Sequence, residues 1–330
     1  ASMKAAMGVG IGMFIALIGF VDGHFVTRVP DAAMTTVPVG LGINGSISTW
    51  PAFVFIVGLI LSSFFVIRQV RGGLFIGIVI TTIIAMIIQA LTGSEGWGMA
   101  TPEIPSSLGG MPDLSIVGQV DPIGAFTKLG VVSTVLLIFT LLLTNFFDAM
   151  GTMTALGRQA GLAGDDGVLP DMKRALVVEG FGAVVGGAAS ASSNTVFVDS
   201  SAGIADGART GLANVVTGVL FLAAMFFTPL YEVVPIEAAA PVLVVVGALM
   251  MMQVGQIAWN DFSVALPAFL TIVTMPLTYS IANGIGVGFI SFALLSLFAG
   301  KAKDIHWLMW LISALFVVYF AQGPILAALG

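Results

Sequence analysis

The chain has no cysteine, two histidines and very little charge. Without cysteine there is no disulfide framework and no thiolate metal site among its 330 residues. The histidines, His24 and His306, both stand at the ends of apolar runs, so neither a metal centre nor a haem enzyme is expected and no cofactor is called for. Asp, Glu, Lys and Arg make up only 8% of the chain, with no basic run that would engage nucleic acid. Alternating ten-residue segments are missing too, which argues against a transmembrane β-barrel. What is present is apolar: 58% of residues are hydrophobic and the mean hydropathy is +1.09, values that exclude an ordinary soluble protein. Sixteen Met, 24 Phe and 41 Gly suit lipid-facing surfaces and close helix packing. The fold class is an all-α polytopic membrane protein, with the lipid bilayer as its first partner.

Apolar runs occupy about 6–21, 51–67, 73–91, 130–157, 174–190, 211–229, 239–256, 263–281, 283–299 and 305–322, each near the roughly 20 residues a spanning helix needs. The stretch 263–299 is expected to divide at Asn283-Gly284. Short cytoplasmic loops concentrate Lys and Arg, so placing Lys4 inside tests the threading. Alternation then puts Arg68, Arg71, Arg158, Lys173, Arg174, Arg209, Lys301 and Lys303 inside, leaving Arg28 and Lys128 outside. That agreement requires the polar stretch 190–209 to count as one complete crossing. The outer loops, 22–50 and 93–128, are read as solvated linkers. Gly164-Asp165-Asp166-Gly167 lacks the ligand spacing of an EF-hand and is read as a solvated turn.

Residues 190–209 are too polar and too short for a single spanning helix. Thr195–Val198 favours extended backbone, and Asp199 with Ser200 and Ser201 has the makings of an N-cap before a short Ala/Gly-rich helix. A half-strand followed by a half-helix is predicted at 195–209. Open backbone at membrane depth is tolerated only where it is enclosed by protein or lines a cavity, and secondary transporters bind substrate at such breaks. Asp148 and Asp199 each lie ten residues before an inner-end arginine, Arg158 and Arg209, which at 1.5 Å per helical residue is roughly 15 Å, or mid-membrane. Asn145, Asp148 and Thr152 recur at i, i+3 and i+7 and share one helix face.

An Asp at that depth costs on the order of 2.5–3.5 kcal/mol and marks a substrate or proton path. Desolvation favours the neutral acid, so it can load a proton on one side and release it on the other. The plainer alternative is that Asp148 and Asp199 only hold the bundle together, Asp199 already having a capping role. Glu179 is read as a helix-end charge, and Asp206 as a partner for Arg209 at i+3. Phe147 and Phe197 offer flat surfaces to an aromatic ligand or pack the core.

Two stretches carry a resemblance. Thr-Asn-Phe-Phe-Asp-Ala-Met-Gly-Thr (144–152) and Asn-Thr-Val-Phe-Val-Asp-Ser-Ser-Ala-Gly (194–203) are similar to the AzgA-like hypoxanthine/guanine/adenine permeases, and the similarity continues through Ala208-Arg209-Thr210-Gly211 and 267–281. The family is related to the uracil and xanthine permeases and is built from two inverted seven-helix repeats that form a core and a gate. The resemblance implies that Asp148 is the substrate carboxylate of the family's eighth helix and Asp199 that of its broken tenth, with Thr152 at a polar position. The candidate pocket is Asn145, Phe147, Asp148, Thr152, Val198, Asp199 and Ser200, with Asp148 and Asp199 coupling protons. Its partners would be a purine nucleobase and a proton, with a second copy of the chain as a further candidate.

The chain departs from the pattern of the family it resembles, which commonly has Glu where Asp199 stands and Asp where Asn145 stands, so the reach and charge count of the pocket are expected to differ. The resemblance also implies that the sequence starts at the fifth family helix. Residues 1–92 would then be gate helices of an incomplete first repeat, 93–128 an outer loop, and 129–330 the second repeat, with core helices at 129–229 and gate helices at 238–322. Lacking the opposing half-strand, this chain by itself is not expected to transport. Alternatives are a uracil/xanthine or anion carrier of the same architecture, an intramembrane aspartyl protease, whose Tyr-Asp and Gly-x-Gly-Asp signatures are missing, and a channel, for which no repeated filter is present.

Overall fold

Each of the ten apolar runs is helical. The computed structural model describes residues 2–28, 39–42, 45–98, 100–105, 107–162, 164, 169–197, 200–205, 207–231 and 233–321. In chain order the elements are α1 (Ser2–Asp22), β1 (Val26–Arg28), β2 (Val39–Leu41), α2 (Trp50–Ile67), α3 (Gly73–Thr92), α4 (Gly124–Leu129), α5 (Val131–Gln159), α6 (Met172–Ala188), α7 (Ser200–Ala205) and α8 (Gly211–Ala224). There follow α9 (Thr228–Tyr231), α10 (Ile236–Met251), α11 (Phe262–Leu277), α12 (Ile281–Phe298) and α13 (Trp307–Phe320). Six helical stretches among the described residues are long and apolar enough to cross a membrane, and α11 and α13 are shorter apolar helices. The protein is a multi-pass membrane protein.

The chain divides into two compact units, one of residues 1–13, 114–207 and 250–330, the other of 14–113 and 208–249. In the first, small residues set the packing, because lipid is as apolar as a leucine and close van der Waals contact has to hold helices together. On α12, a Cβ at Gly288 would collide with Thr271 Oγ1 of α11, and one at Gly284 would stand 2.8 Å from the Thr271 carbonyl oxygen. Ala5, Ala6 and Val9 of α1 pack against Ala268 and Ile272 of α11. The Ala258 N–H donates to Ser2 Oγ at 3.2 Å, and Lys301 Nζ reaches Asp261 Oδ2 at 2.8 Å.

The break between α11 and α12 falls at 278–280 and not at Asn283-Gly284. Tyr279 takes the left-handed turn at φ 51°, and the Ser280 hydroxyl caps α12 by accepting the Asn283 N–H at 3.2 Å. Asn283 and Gly284 are therefore in the first turn of α12. A cap residue ahead of the Asn-Gly pair starts the helix sooner than that pair could stop it.

In the second unit α2 and α3 lie against each other, with Gly77 beside Ser62 Oγ and Gly58 beside Thr81 and Pro241 of α10. Phe20, Phe25 and Phe55 form a ring trio at centroid separations of 5.4–6.0 Å, with Ala240 and Val244 in the same cluster. The outer loops are more structured than solvated linkers. Val26–Arg28 pairs antiparallel with Val39–Leu41 in the register Thr27 to Gly40, and the Gly110 N–H bonds to the Phe226 carbonyl at 2.9 Å. The Trp97 indole N–H donates to Gln89 Oε1 at 2.7 Å, which folds the chain after α3 back onto that helix.

Candidate functional site

α5 is unbroken for 29 residues, about 43 Å at 1.5 Å per residue. Its second half turns inward: Ala149, Thr152, Met153 and Leu156 are all buried, at the 3–4 spacing of one helix face. Asn145 lies two turns before Thr152 on that side and is half-buried. The backbone at Asp148 stands between them, while the side chains of Phe147 and Asp148 fall outside the described residues.

The break after α6 is present. Residues 192–197 carry neither helix nor ladder, and α7 follows over Ser200–Ala205. The half-helix is shorter than a run to Arg209 would make it. It ends at Ala205, and Gly207 at φ 106° closes the turn by donating its N–H to the Ile204 carbonyl at 3.1 Å. The depth count of ten helical residues before Arg209 therefore does not hold, because six residues are helical. Val198, Asp199 and Asp206 lie outside the described residues, so the expected facing of Asp148 and Asp199 does too. So do Asp165, Asp166 and Gly167 of the inner turn.

Glycines on α6 seat the broken segment. A Cβ at Gly186 would collide with the Ser192 carbonyl oxygen, and one at Gly182 would meet Asn194 Cβ at 3.3 Å. The segment also touches α5 through Ser193 Oγ, 3.4 Å from Asn145 Oδ1. Asn145 and the broken segment are thus brought together, with Thr152 buried nearby along α5. Ser200 is exposed at the first position of α7, and its N–H bonds to the Phe197 carbonyl at 3.2 Å. Phe197 is also exposed.

Three acids behave in ways the sequence did not announce. Glu179 is not a helix-end charge: it is the eighth residue of α6 and the one buried residue of that helix. The second acid is Glu237, at the start of α10, where it is fully buried, accepts the Gly98 N–H at 2.8 Å and lies 3.3 Å from His24 Nδ1. A lone acid ahead of an apolar run, where it complements the helix dipole, was the available signal for it. Asp22, the third, lines a cleft of about 410 Å³ together with His24, Thr27, Arg28 and Gly98.

The chain is similar over most of its length to known proteins. The model of a Permease family, of the xanthine/uracil kind, matches residues 2–287. A guanine/hypoxanthine permease of Bacillus subtilis, PbuG, is 38% identical over 322 residues, covering 96% of this chain and 68% of that protein. The putative permease MJ0326 of Methanocaldococcus jannaschii is 37% identical, covering 97% and 68%. The adenine permease AdeP of Escherichia coli is 31% identical, covering 96% and 66%. The chain spans about two thirds of the length of these relatives.

Proposed function

The chain belongs to this Permease family, and from that we propose that it carries purine nucleobases across the cell membrane by proton symport. A permease moves its substrate unchanged, so the chemistry required is recognition and coupling and not catalysis. Asp148 and Asp199 bind the base through its N–H groups and exchange the coupled proton. Asn145, Thr152, Phe147, Val198 and Ser200 shape the pocket around them. Core helices at 129–229 carry the site, and gate helices at 1–92 and 238–322 move past it.

The observation that carries this reading is the meeting of an unbroken helix and an interrupted crossing at Ser193 and Asn145, in a chain 38% identical to a guanine/hypoxanthine permease. Interrupted backbone supplies unpaired N–H and C=O groups where a ligand can use them. The family model refers to xanthine and uracil, whereas the relatives' names cite guanine, hypoxanthine and adenine. Competition by a panel of neutral purines and pyrimidines separates the two.

Hypoxanthine uptake in cells that lack their own purine permeases is the test, with the family's four preceding helices supplied ahead of the chain, comparing that parent with Asp148→Asn at several external pH values. The expected result is loss of concentrative uptake at unchanged expression. Persistent uptake with the same pH dependence in Asp148→Asn would refute the role given to that carboxylate.

A further inference from the structure

We infer that Glu179 and Thr195 form a further binding position for the nucleobase, on the α6 side of the interrupted crossing. The inference rests on the permease reading and adds to it a subsite and a ligand chemistry.

α6 exposes its apolar residues, among them Val177, Val178, Phe181 and Val184. Its single acid is turned the other way and is 8% exposed. Glu179 Oε1 is buried and has no hydrogen-bond partner among the described residues. A carboxylate oxygen withdrawn from water without a donor is costly, and acids in membrane segments are kept where they meet a ligand or a proton.

The neighbours of Glu179 say which ligand. Glu179, Gly182 and Gly186 follow one another at i, i+3 and i+7, a single face of α6. On that face Gly186 takes the Ser192 carbonyl and Gly182 takes Asn194, so the segment runs antiparallel to the helix. One more turn brings Glu179 to the level of the residue after Asn194, which is Thr195. Thr195 Oγ1 is the other buried, unpartnered oxygen on this segment among the described residues. Ser193, two positions earlier, is bonded to Asn145, so the same segment links the position to the α5 face of the pocket.

Two orphaned oxygens of different kinds at one level define the chemistry. An ionised carboxylate only accepts, while a hydroxyl both donates and accepts. A purine ring edge that sets an N–H beside a ring nitrogen or carbonyl oxygen satisfies both: its N–H donates to Glu179 and its acceptor takes the Thr195 O–H. Neither a fully N-alkylated purine nor an inorganic anion could do so.

Hypoxanthine binding to the full chain in lipid nanodiscs, measured by calorimetry, tests this with Glu179→Gln, Glu179→Asp, Thr195→Val and Asp148→Asn. Hypoxanthines methylated singly at each ring N–H are run beside the parent base. Glu179→Gln should lower hypoxanthine affinity roughly tenfold or more, as expected for loss of a charge-assisted bond. Glu179→Asp should lower it less, and Thr195→Val, which removes no charge, by several-fold. For the methylated base that has lost the contacted N–H, the parent and Glu179→Gln should bind alike. Hypoxanthine binding by Glu179→Gln within twofold of the parent, or an equal loss for every methylated base, would assign Glu179 to the fold and overturn the proposal. If Asp148→Asn then still abolishes binding, only the Glu179 position fails. If the parent binds no purine, the proposed purine pocket fails and this position falls with it.

Discussion

His24 Nδ1 lies 3.3 Å from Oε1 of Glu237, whose side chain has no exposed surface. The same oxygen accepts the Gly98 N–H at 2.8 Å. Three segments distant in sequence meet there: the end of α1, the chain after α3 and the first turn of α10. The Gly98 N–H is the hydrogen-bond donor to that oxygen, and the His24 imidazole lies beside it as a close contact with no hydrogen bond of its own among the described residues. His24 reaches it from a left-handed backbone at φ 54°, an unusual conformation for a non-glycine residue.

Removing that carboxylate should loosen the second unit. Glu237→Ala leaves the Gly98 N–H without its acceptor, an expected loss of about 1–3 kcal/mol for an unsatisfied buried group. Glu237→Gln retains an acceptor for Gly98 and should cost less. Thermal denaturation in detergent orders the variants as parent, Gln, Ala. A Glu237→Ala protein that melts with the parent would show the contact to be incidental.

Glycine substitutions should separate close approach from open surface. A Cβ at Gly288 would collide with Thr271 Oγ1, whose hydroxyl is already committed to the Pro267 carbonyl at 2.8 Å. Gly288→Ala is expected to lose about 1–3 kcal/mol through overpacking. At Gly218 of α8 nothing lies within 4 Å, and Gly218→Ala should gain up to about 1 kcal/mol from helix propensity. Equal melting temperatures for the two variants would contradict the packing described for α11 and α12.

The ion pair at the start of α11 predicts an acid-side decline in stability. The Lys301 ammonium, and then Ser263, hold the Asp261 carboxyl down at about 2, against about 3.9 for an unfolded chain. Because the folded value is the lower one, the contribution is fully present above about pH 4 and disappears as pH falls through about 2. Asp261 also caps α11 by accepting the Ser263 N–H at 3.0 Å. Asp261→Asn keeps a capping side chain but loses the charge, so its melting temperature should fall less than the parent's between pH 4 and 2. Parallel declines would place the titration elsewhere.

The bilayer explains which features could be read in advance. A spanning helix must be long and apolar, so the ten runs were visible in composition alone. Polar residues at membrane depth are expensive, so the stretch after α6 announced itself as an interruption. Glu179 was hidden because lipid rewards apolar residues on the outer face, and the valines and phenylalanine of α6 gave no sign of which way its acid turned. Glu237 depends on a bond to Gly98 across 139 positions, which no local pattern encodes. The three-residue strands at 26–28 and 39–41 were too short to stand out of a polar loop. The turn at Tyr279 falls ahead of Asn283-Gly284 because a non-glycine residue takes the left-handed conformation there, which its residue type does not signal.

The contact between Asn145 and Ser193 should couple energetically if it forms one side of the pocket. At 3.4 Å it is at the long end for a hydroxyl donor, so most of the effect of each residue should come from what it offers a ligand and less from their mutual bond. Hypoxanthine affinity is therefore expected to fall about tenfold for Asn145→Leu, which loses an amide able to meet the base, and two- to threefold for Ser193→Ala. The double variant should lose less than the sum of the two, with a coupling of about 0.5–1 kcal/mol, because residues in contact are not independent. Strict additivity would mean that the interrupted crossing and α5 contribute to binding separately, and that their contact only closes a gap in the packing. Asn145→Asp adds a titratable group beside Ser193. It should make affinity depend more steeply on pH than in the parent, and an unchanged pH profile would show that position 145 faces away from the base.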